Sequence, residues 1–197
     1  MRNKRRIPFK EKTKIAVIVD GHTEYWYLKM VQRNEKSSRV DIKPEIPQRK
    51  KLSDQHKKVL ELLQIYDKVI WIIDLDVVLK ESKLPNFLGY KKSLEKKYNN
   101  IIIIINHPCL EYWILLHFSS TSPQFTNCGE VEKLLRNKFP EYSKTEKFYT
   151  KQHNDIYLRL EEKLPLAIAN AKKLGEFDIE TPYKGISEMF KLFEELR

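Results

Sequence analysis

The chain has 197 residues, 41% hydrophobic and 32% charged, with 5 glycines; this supports a core-forming domain of more than average size and excludes fibrous, low-complexity and wholly disordered polymers. Against 27 acidic residues stand 37 basic ones, a formal charge of +10, which favours a polyanionic partner through an attraction that carries no sequence specificity. The isoleucine run at 101–105 is far too short for a membrane span, the basic first residues lead into a short strand rather than a secretory apolar region, and there is no Cys-x-x-Cys pair; the expectation is a cytoplasmic protein with reduced cysteines and no membrane partner.

Residues 1–14, MRNKRRIPFKEKTK, hold seven basic residues and one acid, an arm able to lie on a phosphate backbone or to remain a solvated tail. Ile15 to Val19 is continuously apolar, as expected of a strand covered on both faces. It breaks at Asp20-Gly21, and Thr23 is the expected N-cap of a helix that turns Leu28 and Val31 toward the sheet. A weaker strand from Val40 to Ile46 ends at Pro47, followed by the basic connection QRKKLSDQ. The stripe Val59, Leu62, Leu63 and Tyr66 predicts a helix from about Ser53 to Tyr66. It leads into VIWII and the aspartates Asp74 and Asp76. A loop at 77–86, a helix to Tyr98 and a strand at 101–105 follow. Four strands alternating with helices predict an α/β fold, a four-stranded, mainly parallel sheet between helices. After Asn106-His107-Pro108, LEYWILLHF reads as a helix packed on that sheet. Beyond the polar loop at 119–129 the pattern changes to three helical tracts, at 129–138, 151–173 and 183–196, with no convincing strand. Pro165 must kink or divide the second. These tracts form a C-terminal helical appendage.

Ligands of open α/β sheets gather beyond the carboxyl ends of the strands. Asp20, Glu24, Asp74 and Asp76 all fall there. If Asp74 closes a strand, Asp76 projects from the same face roughly 6 to 7 Å further along; alternatively Asp74 caps the next segment and Asp76 is solvated. Adjacent first and third strands would bring the four acids within reach of hydrated Mg²⁺ or Mn²⁺, ions that prefer carboxylate and water. Asp20, Asp74 and Asp76 are then the candidate metal ligands. Glu24 is the candidate general base, or an acid favoured by the first turn of its helix. Phosphodiester hydrolysis on a nucleic acid is the chemistry this suits. Arg49, Lys50, Lys51, Lys144 and His22 are candidate phosphate contacts; Gly21 supplies the first turn, and Asn106 and Pro108 shape the loop after the fourth strand. His117 reads as a core histidine, Cys109 as a packing residue, and Trp26, Trp71 and Trp113 as core rather than base-stacking side chains.

DGHTE at 20–24, DLD at 74–76 and above all NHPCLEYWILLHF at 106–118 resemble the RloB-like family, whose members carry a Toprim-type core and are associated with bacterial restriction and phage-defence loci. The long motif matches at Asn106, Pro108, Cys109, Glu111, Trp113, Leu115, Leu116, His117 and Phe118, and the likeness continues in outline through Cys128, Tyr142 and Lys144 to Pro182 and Ile186. With the elements above it implies a basic arm at 1–14, a Toprim-like α/β domain at 15–118 and a helical subdomain at 119–197 packed on the core. It also implies Mg²⁺ on the paired aspartates and a glutamate acting in proton transfer from the first motif. Here that position is Asp20, one methylene shorter; Glu24 matches the second acid, and Val77 and Val78 stand where a third acid would follow the pair. Glu111 is implied as a further catalytic or ligand carboxylate, or as the partner of a phosphate-binding cation. The implied activity is that of a Mg²⁺-dependent nuclease acting on DNA or RNA in an anti-phage or restriction-associated system. The alternative is a non-catalytic, metal-dependent nucleic-acid or nucleotide-binding subunit of a defence complex. Assembly as a homodimer or with a partner protein of such a complex is a further expectation.

Overall fold

A computed structural model describes residues 12–19, 21–35, 40–47, 51–120 and 124–196. The apolar runs become strands and the striped segments helices. In chain order they are β1 (Thr13–Ile18), α1 (His22–Asn34), β2 (Val40–Glu45), α2 (Leu52–Leu62), β3 (Lys68–Asp74), α3 (Leu75–Lys80), α4 (Leu84–Lys97), β4 (Ile101–His107), α5 (Leu110–Leu116), α6 (Cys128–Lys138), α7 (Glu146–Tyr149), α8 (Ile156–Leu160), α9 (Leu164–Leu174), β5 (Ile186–Ser187) and α10 (Phe190–Glu195).

The sheet order is β2-β1-β3-β4-β5. β1 pairs in parallel with β2 and with β3, β3 in parallel with β4, and β5 runs antiparallel to β4. From β1 the chain goes outward to β2 and then returns across to β3, so the order reverses between β1 and β3. That switch point is where an open α/β sheet leaves a crevice beyond its carboxyl edge.

Side chains alternate along each strand and divide the core in two. Ile15, Val17, Ile70, Ile72 and Ile104 face α1, α5 and the C-terminal helices. Ala16, Ile18, Val69, Trp71, Ile73, Ile103 and Ile105 face the side of α2 and α4. Inside these layers Trp113 Nε1 donates to Tyr27 Oη at 2.7 Å, tying α5 to α1, and Trp71 Nε1 donates to Gln55 Oε1 at 2.9 Å, tying β3 to α2. His117 is buried, its Nδ1 3.0 Å from the Trp113 carbonyl, and burial pushes its pKa down to about 4. The α/β fold, with its mainly parallel sheet flanked by helices and its C-terminal helical extension, is consistent with a Toprim-like core.

Three local expectations change. The sheet gains a fifth strand, because residues 183–196 form β5 before α10 rather than one helix; Glu188 anchors the turn, accepting from the backbone N of Ile105 at 3.1 Å and of Phe177 at 3.0 Å. Helix α1 starts at His22 with Gly21 at the N-cap, two residues earlier than a Thr23 cap places it. The 77–86 stretch is largely helical, with α3 beginning directly at the end of β3 and Pro85 seated in the first turn of α4, where its missing N–H costs nothing. Pro165 sits likewise in the first turn of α9: a 3-10 turn at Glu161–Lys163 separates α8 from α9, so of the two expected outcomes the proline divides the tract.

Candidate metal and phosphate site

The immediate succession of β3 and α3 changes the relation between the two aspartates. Asp74 is the last strand residue and occupies the N-cap position of α3 without capping it by its side chain; Asp76 lies in the first turn of α3. They therefore do not project from one strand face. Asp74 is aimed by its neighbours, accepting from the backbone N of Leu110 at 3.3 Å and from Asn106 Nδ2 at 3.4 Å. Asn106 in turn accepts from Ser187 Oγ at 2.7 Å, so β5 braces the carboxylate through β4. Asp76 is anchored by its own N–H, which donates to the Pro108 carbonyl at 3.3 Å, and its carboxylate faces Lys80 at 3.5 Å. Both aspartates are buried.

A cavity of about 570 Å³ opens at the switch point, lined by Gly21, Glu24, Lys51, Asp74, Asp76 and Lys144, together with Thr23, Val77, Glu81, Cys109 and Cys128. It brings together most of the acids and cations singled out in the sequence. Three of them, Asp20, Arg49 and Lys50, lie outside the described residues, as does residue 1–11 of the basic arm. His22 is exposed, its ring 5.8 Å from that of Trp26, and is not among the lining residues. Glu81 was not foreseen: Val77 and Val78 replace a third acid in the motif, but one helix length later Glu81 reaches the same cavity. Gly21 has an extended backbone, φ −130°, which any residue adopts. Its value lies in closeness, since a Cβ there would collide with the Glu24 carboxylate.

Glu111, on the first turn of α5, has no exposed surface. Its Oε1 accepts from Tyr142 Oη at 2.9 Å and faces Lys144 Nζ at 2.8 Å. Tyr142 Oη is also 2.8 Å from Tyr149 Oη. Burial, and then the Glu111 charge, push the Tyr142 phenol far above its ordinary range, so it stays a donor. Burial works against the Lys144 ammonium, yet the carboxylates of Glu111, Glu132 and Glu24 together lift its pKa above the usual lysine value. His107, the one residue between Asn106 and Pro108, is buried against the Phe125 carbonyl at 3.1 Å; burial lowers its pKa despite that bond and the nearby Asp76.

Cys109 and Cys128, expected to be reduced and merely packed, are joined as a disulfide, with Cα atoms 5.7 Å apart. Cys109 sits just before α5 and Cys128 opens α6. Cys109, Glu111 and Cys128 bring their ligand atoms within 4.8 Å of one another, a group able to coordinate a metal ion when the two cysteines are reduced. Glu24, Asp74 and Asp76 do not close into so tight a group among the described residues. Their oxygen donors around a roomy cavity nevertheless fit Mg²⁺, which takes one or two carboxylates and keeps several of its waters.

Among the described residues no helix is long and apolar enough to cross a membrane. Among curated proteins and among solved structures, none matches the chain. The family model described as RloB-like protein matches residues 15–196. Together with the donor cluster, this supports a metal-binding, nucleic-acid-associated function. With nearly the whole chain inside the match, the protein belongs to the RloB-like family.

Proposed function

We propose that the protein is a Mg²⁺-dependent nuclease, hydrolysing phosphodiester bonds of DNA or RNA within a bacterial anti-phage or restriction-associated system in the cytoplasm. The observation that carries this reading is the single cavity in which Glu24, Asp74 and Asp76 meet Lys51 and Lys144 at the sheet's switch point. Asp74, Asp76 and Asp20 would hold the ion, which when bound supplies Lewis acidity at the phosphate and lowers the pKa of water. Lys51 and Lys144 contribute positive charge on the cavity wall to balance an incoming phosphate. Glu24, buried on the first turn of α1, is placed to accept a proton from the attacking water. Arg49, Lys50 and the seven basic residues of positions 1–14 add positive charge for a non-specific attraction to a longer nucleic acid.

The test is cleavage of single- and double-stranded DNA and RNA in Mg²⁺ or Mn²⁺, with Mn²⁺ binding followed by electron paramagnetic resonance. Asp74→Asn is expected to lower cleavage by at least about 100-fold, more than the 10 to 100-fold typical of residues that only support a ligand. Equal cleavage by wild type and variant would remove the nuclease reading. The binding-subunit reading draws on two departures, Asp20 in place of glutamate and Val77 in place of a third acid. It would stand if Mn²⁺ and nucleic acid bind together and no strand is cut.

Gly21→Ala separates site geometry from folding. The added methyl displaces the Glu24 carboxylate, the far end of a flexible side chain. Stability is expected to change by less than about 1 kcal/mol at this N-cap position, while cleavage falls about 10-fold or more through the loss of proton transfer. Thermal melting and initial rates on one preparation check both. An unchanged rate would show that Glu24 has no part in turnover.

A further inference from the structure

We propose that Cys109 and Cys128, once reduced, join Glu111 in a second cation site selective for a thiophilic divalent ion of the Zn²⁺ class, and that oxidation to the disulfide closes it. This goes beyond the oxygen-donor reading of the cavity and does not depend on it. Cys128 Sγ lies 3.1 Å from Glu111 Oε2, inside a carboxylate pocket with no exposed surface. A disulfide sulfur carries no proton to donate, so this oxygen receives no hydrogen bond from the sulfur it faces. The other oxygen is served by Tyr142 and Lys144. A thiol proton, or a cation between sulfur and oxygen, satisfies the contact.

The donor chemistry selects the ion. Two thiolates and one carboxylate suit Zn²⁺, which is bound by Cys sulfur and Glu oxygen in four-coordinate sites, whereas Mg²⁺ avoids sulfur. All three ligand atoms lie within 4.8 Å of one another. Lys144, 2.8 Å from Glu111, balances one of the three negative charges of the deprotonated set, and a divalent ion balances the other two. The fourth position opens on the cavity that both cysteines line, with Glu132 Oε1 4.0 Å from Cys128 Sγ as the next carboxylate at hand. The chemistry balances in both directions. A dithiol reductant gives two electrons and two protons to the disulfide and leaves as its own cyclic disulfide; ion binding then releases the two thiol protons to solvent. A peroxide takes two electrons from the paired thiolates, forms the sulfur–sulfur bond, and leaves as two water molecules once protons are supplied, freeing the ion.

The full-length protein, stripped of metal and reduced, is titrated with Co²⁺. One Co²⁺ per chain with a thiolate-to-cobalt charge-transfer band is expected, displaced by Zn²⁺ and abolished by peroxide. Cys128→Ser, at the less buried sulfur, weakens Co²⁺ binding at least about 100-fold and halves the band. Cys109→Ser does the same if it folds. Asp74→Asn leaves the band intact while removing Mn²⁺ from the oxygen-donor site, so this proposal and the nuclease reading fail separately. Absence of a thiolate band in the reduced wild type, a full band in Cys128→Ser, or a band that survives peroxide would each overturn the proposal.

Discussion

Glu111→Ala is expected to destabilise the protein by about 3 to 5 kcal/mol, the cost of stripping one partner from a buried charged network. Glu111 is fully buried, and its loss leaves the Tyr142 hydroxyl and the Lys144 ammonium without their common acceptor. At roughly 2 to 4 °C per kcal/mol for a chain of this size, the melting temperature should fall by about 10 °C. Glu111→Gln keeps an acceptor for Tyr142 and gives up only the charge facing Lys144, so a smaller loss of about 1 to 3 kcal/mol is expected. The Glu111→Ala, Lys144→Ala double variant should be less damaged than the sum of the two single changes, because both remove the same ion pair. Circular dichroism melts of the four proteins measure the coupling. A Glu111→Ala protein within 1 kcal/mol of wild type would mean that the carboxylate is dispensable to the fold.

The second large effect is expected at Asp155, at the start of α8. This carboxylate is also fully buried and ties two helices together. It caps α8, accepting from the backbone N of Tyr157 at 2.9 Å and of Leu158 at 3.1 Å. It also accepts from Asn34 Nδ2 at 3.1 Å and forms an ion pair with Arg33, both at the end of α1. Asp155→Ala removes the cap, ordinarily about 0.5 to 2 kcal/mol, and with it the buried half of an ion pair, for a combined loss of about 3 to 5 kcal/mol. Asp155→Asn retains a cap oxygen and discards the charge, so the difference between this variant and wild type isolates the Arg33 contribution. Urea denaturation gives both midpoints. Equal midpoints for the asparagine variant and wild type would assign the whole effect to capping.

Much of the frame could be read from residue order. β1, β3 and β4 are runs of consecutive apolar residues ending in polar ones, a pattern that fits strands covered on both faces, and the adjacency of β1 and β3 follows from crossover rules. That adjacency is why Glu24 and the paired aspartates share a cavity. The features that escaped do so for physical reasons. LDVVLK contains two valines with low helix propensity, so α3 does not announce itself; its formation rests on the tertiary setting at the end of β3. β5 has two residues, too few to carry a period, and its pairing is supplied by β4 and Glu188. The burial of Glu111 and Asp155 is invisible locally, because an acid at a helix start normally faces water. Cys109 and Cys128 are separated by 19 residues, and only the packing of α5 against α6 makes them neighbours.

Every residue of α5 is buried, with the sheet on one side and the C-terminal helices on the other. Such a helix has no outward face along which the protein could have been assembled from interchangeable parts. A descendant that exchanged the helices after residue 118 for another covering would have to rewrite Tyr112, Trp113 and Leu116 at the same time. Within NHPCLEYWILLHF, Asn106 holds the Asp74 carboxylate of the cavity while Trp113 bonds to α1 and stacks on Phe193 of α10, so a single stretch ties the site to its covering layer.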